Sequence, residues 1–141
     1  MASSNKAAGA PPARSGNGEQ ALGLAVEIRS PDFDLTSVLR SYALEHLAAK
    51  LLKHARRIQS VIVRFEDRKR ARDGLDMVCR VEVLIPGQPP LVVEEIEPDL
   101  RAAIDLAADR MEEVVQRDVE RLRDERRNRG RKIVRNRKLL H

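Results

Sequence analysis

Three histidines, one cysteine and a scatter of carboxylates are the residues of this chain whose types suit catalysis or metal binding. Their spacing gives none of them a partner. His46 and His54 stand eight residues apart on one predicted helix, too far to hold a single ion together, and His141 is remote from both in sequence. Asp105 and Asp109, four apart on a second helix, read as solvated surface rather than a cation site. Cys79, the only cysteine, falls at an apolar position of an alternating strand, where a lone thiol is a small hydrophobe. One cysteine excludes a disulfide framework, a cysteine zinc cluster and a CxxC redox pair within the chain. No Gly-rich phosphate loop or nucleophile elbow occurs. The reading is therefore no enzyme, no metal, no cofactor and no small-molecule substrate.

What remains is positive charge. The 141 residues carry 27 Lys and Arg against 22 Asp and Glu, a formal net charge of +5, with a pI near 9.9. The chemistry such a balance can do is phosphate neutralisation, which makes a nucleic acid the candidate partner. Aromatic residues are only 2% of the chain, with no Trp, one Tyr and two Phe. That scarcity argues against reading unpaired bases by stacking and favours recognition of folded RNA through its backbone.

The basic residues sort by helical phase. With Leu100 at zero and about 100° per residue, Leu100, Ile104, Ala107, Met111, Val114, Val115 and Leu122 form one stripe that must face a core. Arg110, Arg117 and Arg121, spaced seven and four apart, fall together on one flank of it. Asp105, Asp109, Glu112, Glu113 and Glu120 are read on the far side, behind the arginines. On the earlier helix Lys50, Lys53 and Arg57 run along the C-terminal half. Two such helices on one sheet face predict a shallow basic groove suited to RNA.

The elements that position these residues alternate in period. The stretch 24–29 (LAVEIR) reads as a half-buried strand, and 36–55 as an amphipathic helix capped by Asp34 or Thr36. The stretch 60–67 (SVIVRFED) reads as a strand, 68–74 as a charged loop, 76–85 as the clearest strand and 91–97 as a fourth. A last helix spans about 99–127, with Pro98 and Asp99 at its start. The order β-α-β-β-β-α predicts an α+β two-layer sandwich: a four-stranded sheet with both helices on one face, resembling a double-stranded-RNA-binding fold. The outer sheet face carries Glu27, Arg29, Arg64, Glu66, Arg80 and Glu82, read as cross-strand pairs. Residues 1–23, rich in Ala, Ser, Gly and Pro, read as a disordered arm; 24–127 as the folded domain; and 128–141 as a mobile basic tail. The first 20 residues have no apolar core region, so they are no secretory signal, and no apolar run is long enough for a membrane. With the single cysteine, this fits the cytoplasm.

Three stretches resemble a known family. EPDLRAAIDLAADRMEEVV is similar to the start of the last helix in the ribosome hibernation-promoting factors and ribosome-associated inhibitors, the sigma-54 modulation protein family. DLTSVLRSYALEHL resembles that family's first helix through Thr36, Leu39, Arg40 and Tyr42, and VEVLIPG its third strand and turn. The likeness covers about residues 24–125 in order and looks like the short form, without a C-terminal dimerisation domain.

The resemblance implies a partner and a role. Members bind the small ribosomal subunit and its rRNA at the decoding channel, and block mRNA and tRNA during stress or stationary phase. By position it carries RNA contacts onto Arg40 and His46, and onto Arg110, Arg117, Arg121 and Arg123. Lys50, Lys53 and Arg57 join them from the first helix, and Arg126 and Arg127 from the basic tail. The chain departs from the pattern at Glu113 and Val119, at Ala48 and Ala49, and at Ser30 and Pro31, most of them positions where a basic residue is common. Two alternatives stand beside this reading: a divergent protein-interaction module, or a general RNA-binding protein that uses mainly its tail.

Overall fold

Thr36 and Asp99 mark where the two helices of the computed structural model begin. Thr36 sits in extended backbone, and its hydroxyl accepts from the Leu39 N–H at 3.2 Å. The Asp99 carboxylate likewise accepts from the Ala102 N–H at 3.2 Å. Each satisfies a donor that the first turn of a helix leaves free. The structure describes residues 17–21, 23–69 and 75–139.

The elements are β1 (Asn17–Ala21), β2 (Leu24–Arg29), α1 (Ser37–Leu51), a 3-10 turn (Leu52–His54), β3 (Ser60–Lys69), β4 (Leu75–Leu84), β5 (Leu91–Glu97) and α2 (Leu100–Leu139). The sheet follows chain order from β1 to β5. All neighbours are antiparallel except β2 and β3, which are parallel because α1 crosses over between them.

The apolar alternation aims one set of side chains at the helices. Val26, Ile28, Val61, Val63, Phe65, Val81, Val83 and Val93 pack against Ala43, Leu47, Ala48 and Leu51 of α1, and Ile104, Ala107, Ala108, Met111 and Val115 of α2. Both helices thus lie on one face, as the two-layer reading expects. Cys79 is sealed in the same core, where burial and then the charge of Glu95 push its thiol up to about 12.

Three boundaries differ from the sequence reading. A fifth strand, β1, lies in the segment read as a disordered arm. Its polar residues carry no apolar period; what places it is backbone pairing with β2, across a two-residue connection in which Gly23 takes φ +88°, a conformation L side chains rarely adopt. Residues 1–16 lie outside the described residues. Arg68 and Lys69, read as the start of a loop at 68–74, are strand instead, because β3 and β4 extend until Arg68 opposes Asp76 and Lys69 opposes Leu75; opposite charges facing across a ladder support it, and residues 70–74 lie outside the described residues. Most consequential, α2 does not stop near residue 127. It continues to Leu139 as one 40-residue helix, about 60 Å at ~1.5 Å per residue. The segment read as a tail has no proline, and its single Gly130 costs a helix only about 1 kcal/mol.

Candidate RNA-contact surface

The two basic sets do not converge on one groove. The spacing His46, Lys50, Lys53 is four then three, and the spacing Asp105, Asp109, Glu112 is the same. The structure lays these rows against each other. Asp105 accepts from the Tyr42 hydroxyl at 2.7 Å and meets His46 at 3.3 Å; Asp109 meets Lys50 at 2.9 Å; Glu112 meets Lys53 at 3.4 Å. The partners advance together along both chains, so α1 and α2 run parallel. The flank of α2 read as its acidic back is therefore, for these three acids, the seam with α1. The helical wheel gave their angle to the buried stripe but not which neighbour that flank meets. The Asp109 carboxylate raises the Lys50 pKa, first by its hydrogen bond and then by its charge. The Asp105 hydrogen bond raises that of Tyr42. Tyr42 also stacks on His46, with ring centroids 4.1 Å apart, and Arg101 lies 4.9 Å above the Tyr42 ring.

The turn after α1 folds inward. His54 is buried, and its Nε2 and the buried Nε of half-exposed Arg57 have no hydrogen-bond partner among the described residues. Burial, then the cations of Lys53 and Arg57, hold the His54 imidazole below its ordinary pKa. Arg57 is thus only half-exposed, with its Nε buried. Arg40, on α1, is half-buried.

The opposite flank of α2 carries the arginine row, and its members have different fates. Arg110 reaches Glu95 of β5 at 3.3 Å. Arg117 is exposed and forms no ion pair among the described residues. Arg121 is held by two carboxylates, Asp118 at 2.9 Å and Glu125 at 2.7 Å, whose hydrogen bonds raise its pKa. Asp118 is itself buried and also accepts from Gln88 Nε2 at 2.7 Å. This clamp, absent from the sequence reading, ties the turn between β4 and β5 to α2. Arg123 and Arg126 are exposed without ion pairs among the described residues, and Arg127 meets Asp124 at 2.9 Å.

The outer sheet face is charge-balanced in a way the expectation of cross-strand pairs missed. Arg29, Arg64 and Arg80 stand directly opposite one another across β2, β3 and β4. Each is offset by a glutamate two residues along its own strand: Glu27 at 2.6 Å, Glu66 at 2.7 Å and Glu82 at 3.6 Å. Glu94 adds one cross-strand contact to Arg80 at 4.0 Å.

Comparison with known proteins adds an independent line. Residues 26–123 match the family described as sigma 54 modulation protein / S30EA ribosomal protein. A comparison with curated proteins finds no match. Among solved structures the chain is similar to a ribosomal subunit interface protein from Coxiella burnetii, at 16% identity and a TM-score of 0.59, covering 67% of this chain and 97% of that one. It also matches the N-terminal domain of Protein Y from Thermus thermophilus, at 27% identity and a TM-score of 0.47, over 65% of this chain and 92% of that one. The Coxiella likeness shows the shared fold. No helix among the described residues is long and apolar enough to cross a membrane.

Proposed function

The chain belongs to the family of sigma 54 modulation and S30EA ribosomal proteins, and from that premise we propose that it is a ribosome-associated inhibitor of translation. In this reading it sits in the cytoplasm on the small subunit, against rRNA of the decoding channel, and blocks mRNA and tRNA during stress or stationary phase. It acts by occupying space, without catalysis. The observation that carries the reading is the extent of the match. Residues 26–123 run from β2 to the last turns of α2 that touch the core, so they take in α1, the packed part of α2 and four of the five strands. The exposed Arg117, the lightly tethered Arg110, and Arg123, Arg126 and Arg127 beyond them are the residues best presented to phosphate. His46, Lys50 and Lys53 contribute beside them once their acidic partners are displaced, and Arg40 contributes from α1.

The test is co-sedimentation with purified small subunits, paired with cell-free translation. The protein is expected in the subunit fractions, to leave them as salt rises, and to lower translation in proportion to the amount bound. Absence from those fractions at every salt concentration would sink the reading. A second reading, a protein-interaction module on the same fold, is favoured by one observation: the acids of α2 already neutralise the cations of α1. A partner protein that stays bound through RNase treatment, with no ribosome association, is the outcome that would select it.

A further inference from the structure

Positive charge is not spread over this chain. Residues 123–141 hold nine of its Lys and Arg against two acids, which leaves the preceding 122 residues with 18 basic against 20 acidic side chains. The globular unit is therefore net acidic, and phosphate repels it at long range while attracting residues 123–141. The family match ends at residue 123, at the same place.

The geometry changes there too. Among the residues whose side chains are described, Val119 is the last buried one and Leu122 is half-buried, whereas every residue from Arg123 to Arg131 is exposed. The helix backbone nevertheless continues to Leu139, which carries it about 25 Å past the core at ~1.5 Å per residue. A separate helix of this length is marginal in water, but this one propagates from turns already packed and needs no nucleus of its own. Its root is held by the Gln88–Asp118–Arg121–Glu125 chain of contacts, at 2.7, 2.9 and 2.7 Å.

The direction of the charges narrows the partner. At about 100° per residue, Arg129, Arg126, Arg123, Arg127 and Arg131 succeed one another around about 200° of the helix. Four of them form no ion pair among the described residues, and Arg127 shares with Asp124 a pair exposed at both ends, a kind that contributes little. A flat phosphate surface would meet only one side of such a rod. An unpaired strand would call for aromatic platforms, and residues 123–141 contain none. A groove of folded RNA, with backbone on two sides, satisfies both conditions.

We infer that residues 123–139 form a phosphate-binding rod that enters a groove of double-helical RNA and touches its backbone on two sides, and that this rod supplies most of the salt-dependent affinity. The inference deepens the ribosome-binding reading and rests on it for where the RNA is met. The globular unit then places the rod, and the rod grips.

The test uses the full chain, a synthetic A-form RNA hairpin and purified small subunits, with dissociation constants measured across a salt series. Two arm variants remove charge from opposite sides: Arg126→Gln with Arg129→Gln, and Arg127→Gln with Arg131→Gln. The comparator removes the same charge from the globular unit: Arg110→Gln with Arg117→Gln. Each arm variant is expected to make log K against log salt shallower by roughly 1 to 2, and the comparator by less than either. Asn128→Pro keeps every charge but interrupts the rod, and is expected to weaken hairpin binding several-fold. An arm variant that shifts the slope no more than the comparator overturns the inference, and so does an effect confined to one arm pair. The two readings separate cleanly. Hairpin binding lost on arm neutralisation, with no variant joining small subunits, sustains the rod and refutes the ribosome. Subunit binding indifferent to the arm variants does the reverse.

Discussion

The two parts of α2 carry the same kinds of side chain and use them differently. Over residues 100–122 three of its acids, Asp105, Asp109 and Glu112, are matched along a common four-three spacing to His46 and Lys50 of α1 and Lys53 of the turn after it, and Arg110 and Arg121 are tied to Glu95 and Asp118. From Arg123 onward the arginines outnumber the acids and, as far as Arg131, stand in solvent. A basic pI therefore says little about where a chain meets phosphate. Exposed pairs contribute little to stability each, yet together they cancel the field that a polyanion would feel. What locates the binding surface is charge left over after pairing.

The comparison can be broken by substitution, and the largest effect belongs to the packed part. Phe65→Ala, at a fully buried position in the sheet, is expected to cost about 3–5 kcal/mol of stability, whereas Arg129→Ala in the arm should stay within about 0.5 kcal/mol. Chemical denaturation of the two variants reads both. Next comes the root of the arm. Asp118→Ala leaves Gln88 and Arg121 without their shared acceptor, and a loss of about 1–3 kcal/mol is expected. A variant as stable as the parent would mean that the clamp does not hold the arm.

Acid should loosen the globular part through His54. Its pKa is depressed in the fold, so below its ordinary value near 6.5 the unfolded chain takes up a proton that the folded chain refuses. Stability should accordingly fall as pH drops through that value. His54→Leu should flatten this part of the melting-temperature profile, and an unchanged slope would assign the acid sensitivity elsewhere. The smallest effects are gains in binding. Asp109→Ala with Glu112→Ala frees Lys50 and Lys53, and Glu113→Arg reverses a charge on the exposed back of α2. Each should raise affinity for the RNA hairpin a few-fold at low salt (~3-fold) and steepen its salt dependence by roughly one.

Much of this architecture was legible in the sequence because burial imposes a period. The alternation of Val61, Val63 and Phe65 and the helical recurrence of Ile104, Ala107 and Met111 each identify a face that ends in the core. Family resemblance was legible for the same reason, in a run such as AAID that packs as well as contacts. Strand β1 was not, since a polar edge strand is placed by its neighbour's backbone and leaves only Gly23 as a signal. The end of α2 was hidden because an exposed helix needs no apolar period, so its arginines read as a tail. The helix seam was present in the matching spacings of His46, Lys50, Lys53 and Asp105, Asp109, Glu112, but pairing across elements becomes visible only once the elements are placed. Of the candidate arginines, those at 110, 117, 121, 123, 126 and 127 are exposed, whereas Arg40 and Arg57 are half-buried.

A ribosome profile on a sucrose gradient, run at low and at moderate salt and blotted across the fractions, tests the account most directly. Added full chain should travel with the small subunit at low salt and return to the top of the gradient as salt rises. The chain with Arg126, Arg129 and Arg131 changed to Gln should already stand at the top under the low-salt condition. Full chain at the top of both gradients, or the arm variant retained as firmly as the parent, would contradict the claim that this domain holds the ribosome by its projecting helix.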